Sequence, residues 1–286
     1  MSHSLHPLPD PPAPPAPPAA SAYGTPVPAP LVRTRRGRRT LEFSPGDIQS
    51  EMLLARPHAL VLDYLRAMMG FVLFAPRPRH IVMVGLGGGS LAKYCYRHFP
   101  EARITVIELR ADVIALRDQF CVPPDDARLR VVHADAVAWL PALAGQADVL
   151  LVDGFDAAGL PPSLADAAFY ADCRRTLRPG GVLVANVFTY DPRYAAVLAT
   201  LDAVFDGRTC WFDKVAGNNR IVYALQAQPP AHDGAAPADR RLGRLRKRRG
   251  FGPGWLNRLA VRAILVGIAF RSVLARPQPS PSGRSV

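Results

Sequence analysis

The chain has 286 residues, of which 49% are hydrophobic, and it carries a formal net charge of +12. Residues 1–40 carry a net +4 and residues 231–286 a net +10, which leaves −2 for residues 41–230 and argues against a nucleic-acid-binding core. The four cysteines include no CxxC pair, so neither a disulfide framework nor a zinc site is indicated.

The first predicted segment, residues 1–30, contains the proline-rich run "PDPPAPPAPPAA". It lacks apolar periodicity and is expected to be disordered, because it cannot bury enough surface to fold. Residues 31–78 are predicted to form a short hairpin, with its turn at Ser44-Pro45-Gly46, followed by a helix. No signal peptide pattern is recognised, so we expect a cytoplasmic protein.

Residues 79–228 alternate short Val- and Ile-rich runs with helix-like stretches. The runs "HIVMV", "RITVI", "LRVVH", "DVLLV" and "GVLVANV" are apolar on both faces, as buried parallel strands are. Two further runs, "TCWFDK" and "RIVYAL", are too close for a crossover helix and should pair antiparallel. The pattern predicts an α/β fold: a doubly wound, mostly parallel seven-stranded Rossmann-like sheet with an antiparallel last hairpin.

The remaining segments are predicted as a basic linker at 229–253, an amphipathic helix at 254–275 and a disordered end at 276–286. The helix has an uncharged run of only eight residues, far short of the roughly 20 that a membrane span needs, so we expect it to pack on the core or rest on a surface. The basic tail could contact an anionic partner such as RNA, lipid or an acidic protein, although a solvated arm is the simpler interpretation.

A glycine-rich loop follows the first predicted parallel strand and opens a helix, with glycines at 85, 87, 88 and 89. Glycines there permit a tight turn and let a nucleoside approach the backbone. Glu108 lies 23 residues after Gly85, at the tip of the second strand, where a carboxylate can accept hydrogen bonds from both ribose hydroxyls. A nicotinamide cofactor would fit these two features equally well.

Further carboxylates follow the third and fourth strands. Asp135, followed by Ala136, is placed to accept from the exocyclic amine of adenine, and Asp153 and Asp156 should open onto the same crevice. An alternative interpretation is purely structural, with Asp156 capping the next helix and Asp153 satisfying loop amides.

Over about residues 46–225 the sequence resembles the spermidine synthase family of aminopropyltransferases. The stretch "DGFDAAGLP" is similar to the family's catalytic signature, and "FY" at 169–170 and "LRPGG" at 177–181 accompany it. The resemblance implies that Asp153 accepts a proton, while Asp156, Tyr64 and Gln49 bind the acceptor amine. It also implies a class I methyltransferase-like fold, a homodimer, no metal, and a nucleoside co-substrate held by Gly85, Gly87, Gly88, Gly89, Glu108, Asp135 and Ala136.

Three functions follow from these observations. The leading hypothesis is an enzyme of polyamine biosynthesis that transfers an aminopropyl group from decarboxylated S-adenosylmethionine to a small-molecule amine. The second is a methyltransferase that uses S-adenosylmethionine itself, since Gly88 stands where the family carries the aspartate that binds the donor's amine. The third is a non-catalytic nucleoside-binding protein that acts through its tails.

Overall fold

A computed structural model describes residues 29–154, 159–212, 214–228, 237–248 and 250–274. The described part contains a small antiparallel sheet, a seven-stranded mixed sheet and helices on both faces of the larger sheet. The predicted tails at 1–30 and 276–286 lie outside the described residues, apart from residues 29 and 30.

The small sheet has three antiparallel strands: β1 (Leu31–Arg35), β2 (Arg38–Glu42) and β3 (Ile48–Leu53). The expected hairpin joins β2 to β3, and in its turn the Asp47 amide donates to the Ser44 carbonyl oxygen at 2.9 Å. The prediction of one hairpin was wrong because it omitted β1. This strand joins β2 through Arg36 and Gly37, both at positive φ as a tight two-residue hairpin turn requires. The sequence of β1, LVRTR, lacks the alternation of apolar and polar residues that predicts a strand.

The helix expected after this sheet is shorter than predicted. Helix α1 (Asp63–Met68) passes into a 3₁₀ turn over Met69–Leu73. Gly70 lies against the Tyr223 ring, and the Tyr223 hydroxyl donates to the Ala67 carbonyl oxygen at 2.5 Å. These contacts fix the end of α1 against the larger sheet.

The seven-stranded sheet has the predicted architecture. Its strands are β4 (His80–Val84), β5 (Arg103–Glu108), β6 (Leu129–His133), β7 (Ala147–Val152), β8 (Leu177–Phe188), β9 (Thr209–Trp211) and β10 (Asn219–Leu225). They are ordered β6-β5-β4-β7-β8-β10-β9, with β10 antiparallel to both neighbours. The central parallel strands β4 and β7 are buried on both faces, which explains their almost unbroken apolar sequences, whereas the edge strand β6 exposes Arg130. The strand order reverses at β4, so ligands are expected at the carboxyl end of this strand.

Helices cover both faces of this sheet. Five of them connect its strands: α2 (Ser90–His98), α3 (Ala111–Ile114), α4 (Ala136–Trp139), α5 (Ala167–Thr176) and α6 (Tyr194–Val204). Two buried apolar clusters result. One joins the small sheet, α1 and α2 to one face, and the other contains Trp139, Phe169 and Val197 on the opposite face.

The segment predicted as a basic linker at 229–253 contains a packed helix, α7 (Pro237–Arg248), so that prediction was wrong. Leu242 and Leu245 are buried, and Asp239 pairs with Arg208. Two leucines three residues apart anchor the helix, although cationic residues dominate its sequence. The next helix is α8 (Gly254–Leu274), in the segment where an amphipathic helix is expected. None of the helices described has the length and apolar character of a membrane span.

Truncating Leu245 tests whether α7 belongs to the fold. Leu245→Ala should lower the free energy of unfolding by about 2–5 kcal/mol, because it leaves a cavity between α7 and the sheet. The control Gly243→Ala lies on the same helix, with open space around it, and should raise stability by up to ~1 kcal/mol. Denaturant unfolding measures both changes. Equal stability of Leu245→Ala and the unmodified chain would show that α7 does not pack in solution.

Candidate active site

A cavity of about 790 Å³ opens at the carboxyl ends of β4, β5 and β7. Residues 47–50 at the start of β3 and Tyr64 of α1 line it from the opposite side. The cavity therefore lies between the small sheet and the larger sheet, at the point where the order of parallel strands reverses.

The glycine-rich loop forms one wall of the cavity. Gly85, Gly87 and Gly89 have φ values of 95°, 52° and 65°, in the left-handed region that favours glycine. A Cβ atom on Gly85 would overlap the Asp153 carbonyl oxygen, so a side chain is excluded there. Gly85 and Gly87 line the cavity, whereas Gly88 and Gly89 pack against other side chains and do not. Only two of the four predicted glycines therefore face the cavity.

Glu108 ends β5 and lines the cavity, although it is only 8% exposed. One carboxylate oxygen accepts from the Leu86 amide at 2.8 Å, and the other accepts from the Arg110 amide at 2.9 Å. Burial raises the pKa of Glu108, and these donors partly oppose that increase. The carboxylate ties the glycine-rich loop to β5 and keeps further acceptor capacity toward the cavity.

Asp135 and Ala136 line the cavity beside Glu108, as the sequence predicts. Asp135 also caps α4, where its Oδ1 atom accepts from the Val137 amide at 2.9 Å. The carboxylate is therefore held in a defined orientation by its own helix.

Asp153 follows β7 and belongs to a half-buried hydrogen-bond network. The Asn186 side chain, on β8, donates to its Oδ1 atom at 2.9 Å, and the Asn219 side chain, on β10, donates to Asn186 Oδ1 at 2.9 Å. The Tyr64 hydroxyl lies beside the Asp153 carboxylate and favours its ionised form. Burial raises the pKa of Asp153, while Asn186 and Tyr64 limit the increase. Such an environment suits a group that accepts a proton.

The structure brings together most of the predicted site. Gln49 lines the cavity and donates to Asp47 at 2.8 Å. Asp156 lies outside the described residues. Among the residues that the structure does describe, no three His, Cys, Asp or Glu side chains converge as a metal site would require.

Four further polar side chains line the cavity but were not predicted from the sequence: Asn186, Asn219, Ser50 and Tyr190. Asn186 had a detectable signal, since it is the one polar side chain in the buried run "GVLVANVF". A polar side chain in such a strand requires a hydrogen-bond partner, and here the partner is Asp153.

Ser50 lies directly over Gly88. A Cβ atom added at Gly88 would be 2.6 Å from the Ser50 hydroxyl oxygen and 2.8 Å from a ring carbon of Phe120. The Ser50 hydroxyl is 3.5 Å from that of Ser90. An aspartate at position 88 would therefore displace neighbouring side chains.

The chain matches the family model described as "Spermine/spermidine synthase domain" over residues 62–197. It is 36% identical over 193 residues to a polyamine aminopropyltransferase of Neisseria meningitidis serogroup B, covering 67% of this chain and 73% of the relative.

Two solved structures share the fold. A probable spermidine synthase from Corynebacterium glutamicum aligns with a TM-score of 0.61 and 21% identity, covering 92% of this chain and 100% of that one. Human Methyltransferase-like protein 13 in complex with SAH aligns with a TM-score of 0.55 and 23% identity, covering 78% of this chain and 97% of that one. The matched domain and the similarity to the Neisseria enzyme together show that this chain belongs to the spermine/spermidine synthase family.

Proposed function

We propose that this chain transfers an aminopropyl group from decarboxylated S-adenosylmethionine to a small amine in polyamine metabolism. The observation that carries the proposal is Asp153, held by Tyr64 and Asn186 at the edge of a cavity that also contains the glycine-rich loop and Glu108. Family membership and the polyamine aminopropyltransferase named among its relatives support the same reaction.

The nucleoside half of the donor would lie along the ends of β4, β5 and β6. Glu108 would accept from the ribose hydroxyls, and Asp135 from the exocyclic amine of adenine. Gly85 and Gly87 would let the nucleoside approach the backbone, since they line the cavity without side chains.

The reaction is a displacement at the carbon beside the sulfonium sulfur. The acceptor nitrogen uses its lone pair to form a bond to this carbon while the carbon–sulfur bond breaks. The electron pair of the broken bond goes to sulfur, which leaves as the neutral thioether of methylthioadenosine. Because the acceptor amine is protonated in water, a base first removes one proton from it, and the attack of the neutral amine then yields the ammonium form of the product. Alignment of the amine with the breaking bond supplies much of the rate, because it makes the reaction effectively unimolecular.

Asp153 would be the base. An amine that is protonated has no lone pair with which to attack, so a carboxylate at the reacting end of the cavity is needed to receive the proton. Tyr64 and Asn186 fix the orientation of this carboxylate. Gln49 and the adjacent Asp47 would contact the far end of the acceptor, where an acidic side chain favours a second ammonium group. The family resemblance assigns Asp156 to the same amine.

A methyltransferase that uses S-adenosylmethionine is the second candidate, and Gly88 favours it. The space beside Gly88 is filled by Ser50 and Phe120, so the acidic group that would pair with the amine of a decarboxylated donor is absent at this position. We favour aminopropyl transfer because Asp153, held by Asn186 at the cavity, supplies the base that this reaction needs.

Incubation of the full chain with an amine and each donor in turn distinguishes the candidates. We expect methylthioadenosine to be released from decarboxylated S-adenosylmethionine, with putrescine as the first acceptor tested, and chromatography of the nucleoside products measures it. Release of S-adenosylhomocysteine from S-adenosylmethionine alone would support the methyltransferase. Binding of both donors without turnover would support the nucleoside-binding protein.

Asp153→Asn separates catalysis from binding. The amide keeps the size of the side chain but cannot accept the proton, so turnover should fall by about 10²- to 10⁴-fold. Methylthioadenosine affinity, measured by calorimetry, should change little. The control Asp166→Asn makes the same chemical change at the cap of α5, outside the cavity, and should keep full activity. Full turnover by Asp153→Asn would rule out Asp153 as the base.

Asn186→Leu tests the electrostatic role of the network. Asn186 stabilises ionised Asp153, so its loss should raise the pKa of that carboxyl further. Turnover requires the ionised form, and the acid limb of the pH–rate profile should therefore move about one pH unit or more toward higher pH. Asn218→Leu, a cavity-lining control not bonded to Asp153, should leave the limb in place. If the acid limb of Asn186→Leu does not move, that limb reports the titration of the acceptor amine rather than that of Asp153.

A further inference from the structure

Helix α8 carries a second apolar face, which no other described residue covers. Its inner face packs on the body of the protein through Val261 and Ile268. The opposite side, here called the outer face, exposes large apolar side chains by 49–69%: Trp255, Leu259, Val266, Phe270, Val273 and Leu274. Their spacings, mostly multiples of three to four residues, place them on one side of the 21-residue helix. An exposed apolar stripe of this length marks an interaction surface.

Both ends of α8 are fixed to the body. Arg258 donates to the Lys214 carbonyl oxygen at 3.1 Å, and Arg271 donates to the Pro76 carbonyl oxygen at 3.1 Å. Ser272 contacts His98 at 2.9 Å. The helix is therefore held with the outer face toward solvent, and exposure of that face requires no rearrangement of the fold.

The charges around the outer face identify the kind of partner. Helix α8 has three arginines and no acidic residue, and Arg262 is exposed between Leu259 and Val266 on the outer face itself. An apolar stripe flanked by cations matches a lipid surface with anionic headgroups, since acyl chains receive the apolar side chains and headgroups receive the arginines.

Other occupants match this chemistry less well. A second copy of α8 would bring only positive charge to the contact, with no carboxylate to pair with it. Nucleic acid would satisfy the arginines but offers no counterpart to a stripe of this length. We propose that the outer face of α8 docks this protein on anionic lipid surfaces, with the helix lying in the plane of the interface.

Vesicle flotation of the full chain tests the proposal. The protein should float with vesicles of phosphatidylcholine that contain about 30% phosphatidylglycerol and should not float with phosphatidylcholine alone. It should dissociate in about 1 M NaCl, where the Debye length is only about 3 Å. Trp255 fluorescence should shift to shorter wavelength on binding, because the indole leaves water.

The variant Val266→Asp/Phe270→Asp should weaken binding to the anionic vesicles by at least about tenfold, because it places charge in the apolar stripe. Its aminopropyltransferase turnover and thermal unfolding should equal those of the unmodified chain, since both side chains face solvent. The matched control Leu54→Asp changes an exposed apolar residue outside α8 and should retain vesicle binding.

Three outcomes would overturn the proposal. They are failure of the unmodified chain to float with anionic vesicles, equal flotation with both kinds of vesicle, and undiminished flotation of Val266→Asp/Phe270→Asp. Sedimentation velocity adds a further check, because self-association that this double variant abolishes would identify a second copy as the occupant.

Discussion

The close approach of Gly85 to the end of β7 is the constraint on which the site depends. The chain leaving β4 passes between its two neighbouring strands, with the Gly85 amide donating to the Ile107 carbonyl oxygen at 2.9 Å. The Asp153 amide donates back to the Val84 carbonyl oxygen at 3.0 Å. Since a side chain at Gly85 would overlap Asp153, only glycine permits β4, β5 and β7 to end together. Their polar terminal residues consequently share one cavity.

Two carboxylates, Glu108 and the half-buried Asp153, line this cavity in different environments. Burial raises the pKa of both, but different groups oppose the increase in each case. Backbone amides bond to Glu108, whereas the Asn186 side chain bonds to Asp153 beside the Tyr64 hydroxyl. Backbone donors suit a group that stays ionised and binds a ligand. Side-chain donors from separate elements suit a group whose proton affinity is adjusted for chemistry.

The small N-terminal sheet completes the site rather than merely covering it. Its third strand places Gln49 and Ser50 over the glycine-rich loop, and Ser50 occupies the space that a side chain at Gly88 would need. The glycine at position 88 is thus matched to the packing of a residue from another element, and a side chain there would have to displace Ser50 or Phe120.

The sequence by itself determined the sheet and the positions of most site residues. Buried parallel strands are apolar on both faces and interrupted by short helices, so β4 to β8 could be recognised locally, and polar residues at their carboxyl ends had to meet at one edge. Only the tertiary structure decided that Asn186 bonds to Asp153, that Ser50 occupies the space beside Gly88, and that α7 is a packed helix. These features depend on contacts between residues distant in sequence, and no local periodicity records such contacts.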